Sequence, residues 1–210
     1  WLGLVGSEMC IRDRLKTIGI NIEESDPKIK KLLEDVKDRE FIGYSYDGAD
    51  ASFELLARRA MGEIPRYISI KEYDVSVTKN AKDEIVSKAK ANLEVDGEKI
   101  VCEGEGNGPV HALDNAIRNN VNKLEKYAEY LKDLKLVDYK VRILNTGTEA
   151  VTRVSIESTD SNGKNWFTIG VSANIIDASF KALIDSLDYK LFKDKAPASP
   201  VSYTHLTLPT

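Results

Sequence analysis

The sequence predicts an α+β fold: two βββα repeats forming one domain, preceded by a small helical linker subdomain. Three observations carry this. The hydrophobic period changes from 3.6 to 2 near Arg66. From there, alternating segments broken by Asp96-Gly97 and Asn162-Gly163 lead twice into an amphipathic helix. The whole order then recurs at an offset of 66 residues, with Tyr73 on Tyr139, Val75 on Val141, Gly97 on Gly163, Gly104 on Gly170, Ala112 on Ala178 and Ala116 on Ala182.

The two ends do not read as protein. Met9–Asp13 can be encoded by ATG TGT ATA AGA GAC, whose reverse complement encodes Val201–His205. One oligonucleotide read on opposite strands points to translated sequencing adapters at the edges of a metagenomic reading frame. Residues 1–14 and 200–210 are therefore set aside from fold reasoning. A truncated signal peptide at Trp1–Val5 is the rival reading, but no basic segment or cleavage site accompanies it. The exclusion removes Trp1, Cys10 and His205 from any site, and the natural gene product is expected to extend further.

Within the linker subdomain, residues 15–64, a helix is expected over 27–38. Asp26 is its N-cap, Pro27 its first position, and Ile29, Leu32, Leu33 and Val36 its stripe. A second runs over 51–61, capped by Asp50 with Glu54 completing a capping box, and stopped by Gly62. Phe53, Leu56, Ala57 and Ala60 share one of its faces. These helices read as a linker without a core of its own.

The main domain covers 66–192, with repeats 66–133 and 134–192. Strands are expected at 67–78, 84–95 and 98–105. One long helix follows from Pro109, with Leu113, Ala116, Ile117, Val121, Leu124, Ala128 and Leu131 as its stripe. The second set is strands 136–144, 151–159 and 165–172, then a helix over 176–191. Each sheet has one apolar face that its helix must cover.

Composition excludes several classes. The chain has 210 residues, 30 Lys+Arg against 34 Asp+Glu, and net charge −4. That is too short for a complete eight-fold β/α barrel, which takes about 250 residues. A general nucleic-acid binder would show a basic surplus, and no apolar run reaches the roughly 20 residues of a membrane span. Two cysteines and two histidines cannot close a structural zinc site without carboxylates, and neither a catalytic triad nor metal-ligand spacing is present. A cytoplasmic location is expected.

Two strand-to-helix junctions draw attention. In Glu103–Val110, Gly106, Asn107 and Gly108 let the backbone approach a ligand, and Pro109-Val110 opens a helix whose free N–H groups and dipole suit a carboxylate or phosphate. A tight turn with no ligand explains the same residues. At the matching place stand Ala173, Asn174, Ile175, Ile176 and Ala178. A pocket between the junctions would join backbone donors to an aliphatic wall of Ile175, Ile176, Val110 and Ala178, fitting a small amphiphile; plain core filling is the alternative, and for either isoleucine alone the favoured one. Asp138, pointing opposite to Tyr139, can neutralise an ammonium group or be a solvated edge carboxylate. His111 reads as a solvated helix histidine and Cys102 as buried and inert.

Four segments give the chain a family likeness: Tyr46–Gly62, Gly104–Asn115, Leu136–Leu144 and Gly170–Ser179. Over residues 15–192 it resembles the C-terminal part of the citramalate synthase and 2-isopropylmalate synthase family, with the first and third segments more similar to citramalate synthase. The resemblance implies a parent acyltransferase in branched-chain amino-acid biosynthesis, whose N-terminal barrel uses a divalent metal and acetyl-CoA; no cofactor is expected in this stretch. It implies a regulatory, homodimer-forming domain that binds isoleucine, or leucine in the second branch of the family. Carried over, the effector site comprises Gly106, Asn107, Gly108, Pro109, Val110, Asp138, Tyr139, Ala173, Asn174, Ile175, Ile176 and Ala178. His111 departs from the Asn that the family pattern leads one to expect. A ligand-free dimerisation module and a double-stranded-RNA binder are the rivals; the latter needs a basic helix start, where this chain has His111, Asp114 and Asn115.

Overall fold

A computed structural model describes residues 8–20, 26–95, 97–120, 125–144 and 150–197. The elements are α1 (Glu8–Thr17), α2 (Pro27–Phe41), α3 (Asp50–Met61), β1 (Ile68–Lys79), β2 (Ile85–Val95), β3 (Glu98–Gly106), α4 (Pro109–Arg118), α5 (Glu125–Leu131), β4 (Lys135–Ile143), β5 (Thr152–Thr159), β6 (Asn165–Ser172) and α6 (Ile175–Lys193). They form two antiparallel sheets, β1-β2-β3 and β4-β5-β6, each followed by helix. This is the expected pair of βββα repeats behind a helical segment. Val121, Leu124, Asp96 and the terminal stretch 200–210 lie outside the described residues.

The repeat is deeper than the sequence match. Each sheet carries a register shift between its first and second strands, at Ile70/Glu72 and at Leu136/Asp138, again 66 residues apart. The six aligned pairs also include the points where helix meets sheet. A Cβ on Gly104 would stand 2.6 Å from Ala116 Cα and 2.7 Å from Ala112 O. A Cβ on Gly170 would overlap Ala178 O and stand 3.0 Å from Ala182 N. Small residues recur at this offset because the helix backbone rests on the strand backbone there.

The contacts divide the chain into two compact units, Trp1–Glu63 with Lys135–Tyr189, and Ile64–Leu134 with Lys190–Thr210. In the first, the segment attributed to an adapter reaches into α1, where Ile11 is buried and Arg14 donates to Tyr46 O at 2.9 Å. Asp26 caps α2 as expected, accepting from Lys28 N at 2.8 Å, and the stripe Ile29, Leu32, Leu33 and Val36 is buried. α3 starts differently. Its N-cap is Ala49, and Asp50 lies one residue inside, paired with Arg14 at 2.8 Å. Glu54 makes no capping box; it pairs with Arg58 at 2.9 Å and accepts from the Tyr189 hydroxyl at 3.1 Å. Gly62 closes the helix at φ +75° as predicted.

The helices do have a buried cluster, formed by Ile11, Leu15, Leu32, Val36, Tyr46, Phe53 and Ala57 among others, and Ile169 of β6 joins it. Ser52 of α3 accepts from Ile169 N at 2.9 Å, so α3 occupies the edge that β6 would otherwise expose. α6 packs on the sheet: Thr168 donates to Ala182 O at 2.8 Å and the Trp166 indole to Ser186 Oγ at 3.1 Å. The β5–β6 turn is wider than the Asn162-Gly163 pair predicts. Thr159 pairs with Asn165, leaving a five-residue loop in which Asp160 Oδ1 accepts from Asn162 N at 2.9 Å and Gly163 alone is left-handed, at φ +69°.

In the second unit, Ala89, Ala91, Leu93 and Val95 alternate into the core with Cys102, beneath Ala112, Leu113, Ala116 and Ile117 of α4. The opposite face is charged, with cross-strand pairs Lys88–Glu105 at 2.8 Å and Lys90–Glu103 at 3.1 Å. The single long helix predicted from Pro109 is instead two. α4 ends at Arg118 with Asn119 as its C-cap, and the buried Asn120 donates its amide to Ala116 O at 2.7 Å and Glu103 O at 3.0 Å. A side chain that takes over a helix carbonyl competes with the next helical hydrogen bond, and the helix stops. The apolar phase resets accordingly: Tyr127 and Leu131 are buried in α5, whereas Ala128 is half-buried.

Candidate functional site

The first junction joins β3 to α4. Gly108 is the N-cap, extended at φ −157° and without a side chain to cap the helix; Pro109 follows at the first position. Ala112 N bonds to Gly108 O at 2.9 Å, which opens the intrahelical series. The N–H groups of Val110 and His111, earlier in that turn, have no intrahelical acceptor. Asn107 N donates to His111 Nδ1 at 3.3 Å, and the Asn115 amide donates to Glu105 O at 2.8 Å. His111 is exposed, as expected, yet it is tied to the junction backbone. Gly106, Gly108, Pro109 and Val110 are half-buried and Asn107 is exposed.

The second junction joins β6 to α6 and is built otherwise. Asn174 Oδ1 accepts from Ile176 N at 2.8 Å and Asp177 N at 3.4 Å, and Ser172 Oγ accepts from Asn174 N at 3.2 Å. Ala173 and Asn174 are exposed and Ile176 is half-buried. Ile175 is 42% exposed, so it does not fill the core. Ala178 is fully buried, its carbonyl against Gly170.

Tyr139 reaches this junction. Its hydroxyl is 2.8 Å from Ser179 Oγ, which donates to Ile175 O at 2.6 Å. Burial raises the Tyr139 phenol above its ordinary pKa, so it stays protonated through neutral pH. Asp138 faces away and pairs with Lys140 at 2.6 Å, with Tyr139 N donating to it at 2.8 Å. The hydrogen bond from Lys140 first, and the backbone N–H after it, hold this carboxyl below the ordinary range. Tyr139, Ile175, Ala178 and Ser179 thus come together in the first unit, and Gly106–Val110 form a corner of the second. Ser179 and Asn115 were not legible as junction residues, because a serine or asparagine inside a helix carries no directional signal. Among the described residues no group of His, Cys, Asp and Glu could hold a metal ion.

Comparison with known proteins places this arrangement. The family described as LeuA allosteric (dimerisation) domain matches residues 47–191, from just before α3 to near the end of α6. The (R)-citramalate synthase of Aquifex aeolicus is 44% identical over 185 residues, 87% of this chain and 34% of that protein.

The chain belongs to the citramalate/2-isopropylmalate synthase family.

It corresponds to that family's C-terminal dimerisation and regulatory region. A second (R)-citramalate synthase, from Geobacter sulfurreducens, is 43% identical over 87% of the chain and 34% of that protein. The 2-isopropylmalate synthase of Clostridium acetobutylicum is 34% identical over 59% of the chain and 21% of that protein. The chain spans about a third of the length of the citramalate synthases it matches.

Proposed function

We propose that this is the regulatory domain of an (R)-citramalate synthase, that it binds isoleucine as feedback inhibitor, and that it works as a homodimer. The observation that carries the isoleucine assignment is the difference in likeness: 44% identity over 87% of the chain to a citramalate synthase, against 34% over 59% to a 2-isopropylmalate synthase. The chemistry of the β3–α4 junction supports an amino-acid effector, because the uncapped first turn of α4 offers backbone donors for a carboxylate. The parent is proposed to condense acetyl-CoA with a 2-oxo acid in a metal-dependent barrel. Effector binding would then bias the helical segment against the productive state of that barrel, which requires different affinity for the two states.

Titration with isoleucine, leucine and valine, followed by thermal unfolding, tests this. Isoleucine a hundredfold above its Kd should stabilise by about 2.7 kcal/mol and raise the melting point by roughly 5–10 °C. A response to leucine instead assigns the domain to 2-isopropylmalate synthase. No shift with any of the three at millimolar concentration overturns the effector reading and leaves a dimerisation module.

The homodimer has support of its own. Val77 (56% exposed), Val141 (39%) and Ile143 (70%) lie on the apolar sides of β1 and β4, where Tyr73 and Tyr139 are half-buried. Exposed apolar rows of this kind need cover. Sedimentation equilibrium should return twice the mass of 23.4 kDa; a monomer at tens of micromolar would refute the dimer.

A further inference from the structure

The duplication makes the outer faces of the two sheets comparable row by row. Tyr73 pairs with Ala91 and Tyr139 with Ile156, which fixes the match. Three residues further along, repeat one has the row Ser76–Lys88–Glu105, and repeat two has Arg142–Arg153–Val171. In the first of these rows the lysine is answered by the acid beside it, Lys88 to Glu105 at 2.8 Å. The neighbouring row does the same, Lys90 to Glu103 at 3.1 Å. In repeat two the acid position holds valine, and a second cation stands where repeat one has serine.

Arg142 and Arg153 are thus directly opposite, with Cβ atoms about 5 Å apart, a placement in which like charges repel. Arg153 is half-buried, and its Nε donates to Gly43 O at 2.6 Å, in the loop after α2. Gly43 lies close against the sheet: a Cβ there would overlap Leu144 Cδ1 and stand 3.4 Å from Val171 Cγ1. Burial first, and the charge of Arg142 after it, hold the Arg153 guanidinium below its ordinary pKa. Among the described residues no carboxylate pairs with either arginine. Lys140, the next cation on this face, already has Asp138 at 2.6 Å, with Glu157 adding to the attraction. Glu40, the acid at the end of α2, answers Arg14 instead. Two guanidiniums left facing each other present a charge of +2, and what the row lacks is a dianion.

We infer that Arg142 and Arg153 form a binding site for a phosphate group, free or carried on a nucleotide, where the loop after α2 meets the second sheet. A guanidinium offers parallel N–H groups that match phosphate oxygens. Two of them balance a doubly charged phosphate, where a single carboxylate would leave one charge over. The site lies on the face of the sheet opposite α6 and stands apart from the effector reading. An anion there relieves the repulsion that works against the bond from Arg153 to Gly43 O, so binding should firm the contact between the helical segment and the sheet.

Calorimetric titration with inorganic phosphate and with adenosine 5′-monophosphate, at an ionic strength held constant with chloride, tests this on the chain, Arg142→Gln and Arg142→Glu. The Arg142 side chain is exposed, so both variants should fold. The unsubstituted chain should bind phosphate saturably at millimolar concentration. Arg142→Gln should weaken binding about 10–100-fold, the loss expected for hydrogen bonds to a charged group. Arg142→Glu should abolish it, because the new carboxylate takes Arg153 itself. Without ligand both variants should melt at or above the unsubstituted chain, Arg142→Glu the higher. Phosphate also stabilises proteins by exclusion from their surface, but that effect acts on all three alike, and the difference between them reads the site. Adenosine monophosphate binding no tighter than phosphate makes free phosphate the ligand; tighter binding makes it a nucleotide. An unsaturable response equal in all three proteins, phosphate binding retained by Arg142→Glu, or a lower ligand-free melting point for Arg142→Gln would each overturn the assignment.

Discussion

Gly170→Ala is expected to be among the most damaging single-methyl changes in this chain. The added Cβ would overlap Ala178 O and crowd Ala178 C and Ala182 N, both at 3.0 Å. All three are backbone atoms of α6, which cannot rotate aside as a side chain can. The helix must lift from β6, and that opens the contact between Thr168 Oγ1 and Ala182 O. Overpacking of a rigid core costs about 3 kcal/mol at the upper end of its usual range, which corresponds to roughly 6–12 °C in melting temperature. Gly104→Ala should behave alike, since its Cβ would stand 2.6 Å from Ala116 Cα. Gly108→Ser is the control. Its Cβ would meet nothing within 4 Å, and serine is a good N-cap, so stability should hold or rise slightly. Thermal and urea unfolding of the three variants decide the matter. A Gly170→Ala protein as stable as its parent would show that strand and helix are not in backbone contact.

These glycines also explain what the sequence made legible. Close backbone contact admits only small residues, so Gly104/Gly170, Ala112/Ala178 and Ala116/Ala182 repeat visibly at one offset. The apolar rows of β2 and β5 follow from period-2 alternation, which is set by geometry local to the strand. What escaped depends on long-range partners. α3 reads as a one-sided helix, yet Leu55, Ser52 and Glu54 are buried as well as Phe53 and Ala57, because β6 and α6 approach its other side. The break after Arg118 depends on Asn120 finding Glu103 O, which no helical propensity announces. At the candidate site the residue types of both corners were legible. Their difference was not: it arises from whether a cap side chain turns inward, as Asn174 does.

The same side of α3 holds the second large expected effect. Arg59 reaches α6 with both arms of its guanidinium, at 2.9 Å from Asp185 and 2.5 Å from Asp188. Asp188 is fully buried and the Arg59 side chain is 20% exposed. Burial alone would lower the Arg59 pKa; the two carboxylates outweigh it and hold the group above its ordinary value. Charges in such a place are costly to desolvate, and their mutual attraction recovers that cost only while both partners remain. Removing one side should therefore be severe. Arg59→Met takes the cation from two carboxylates and should cost about 3–5 kcal/mol. Asp188→Leu keeps Asp185 for the Arg59 guanidinium and should cost less. Arg59→Met combined with Asp188→Leu should recover much of the loss, since an apolar pair of similar volume often replaces a buried ion pair without penalty. The interaction energy from this double-mutant cycle reads the coupling directly, and it should persist at high salt, because buried pairs are little screened. Hydrogen exchange adds location: α1–α3 should lose protection with α6 when the pair is cut, because the Arg59 fork and the Ser52 bond to Ile169 N both fasten α3 to the second repeat. Additive single and double variants, or exchange confined to α3, would mean that the ion pair decorates the contact between these helices and does not hold it.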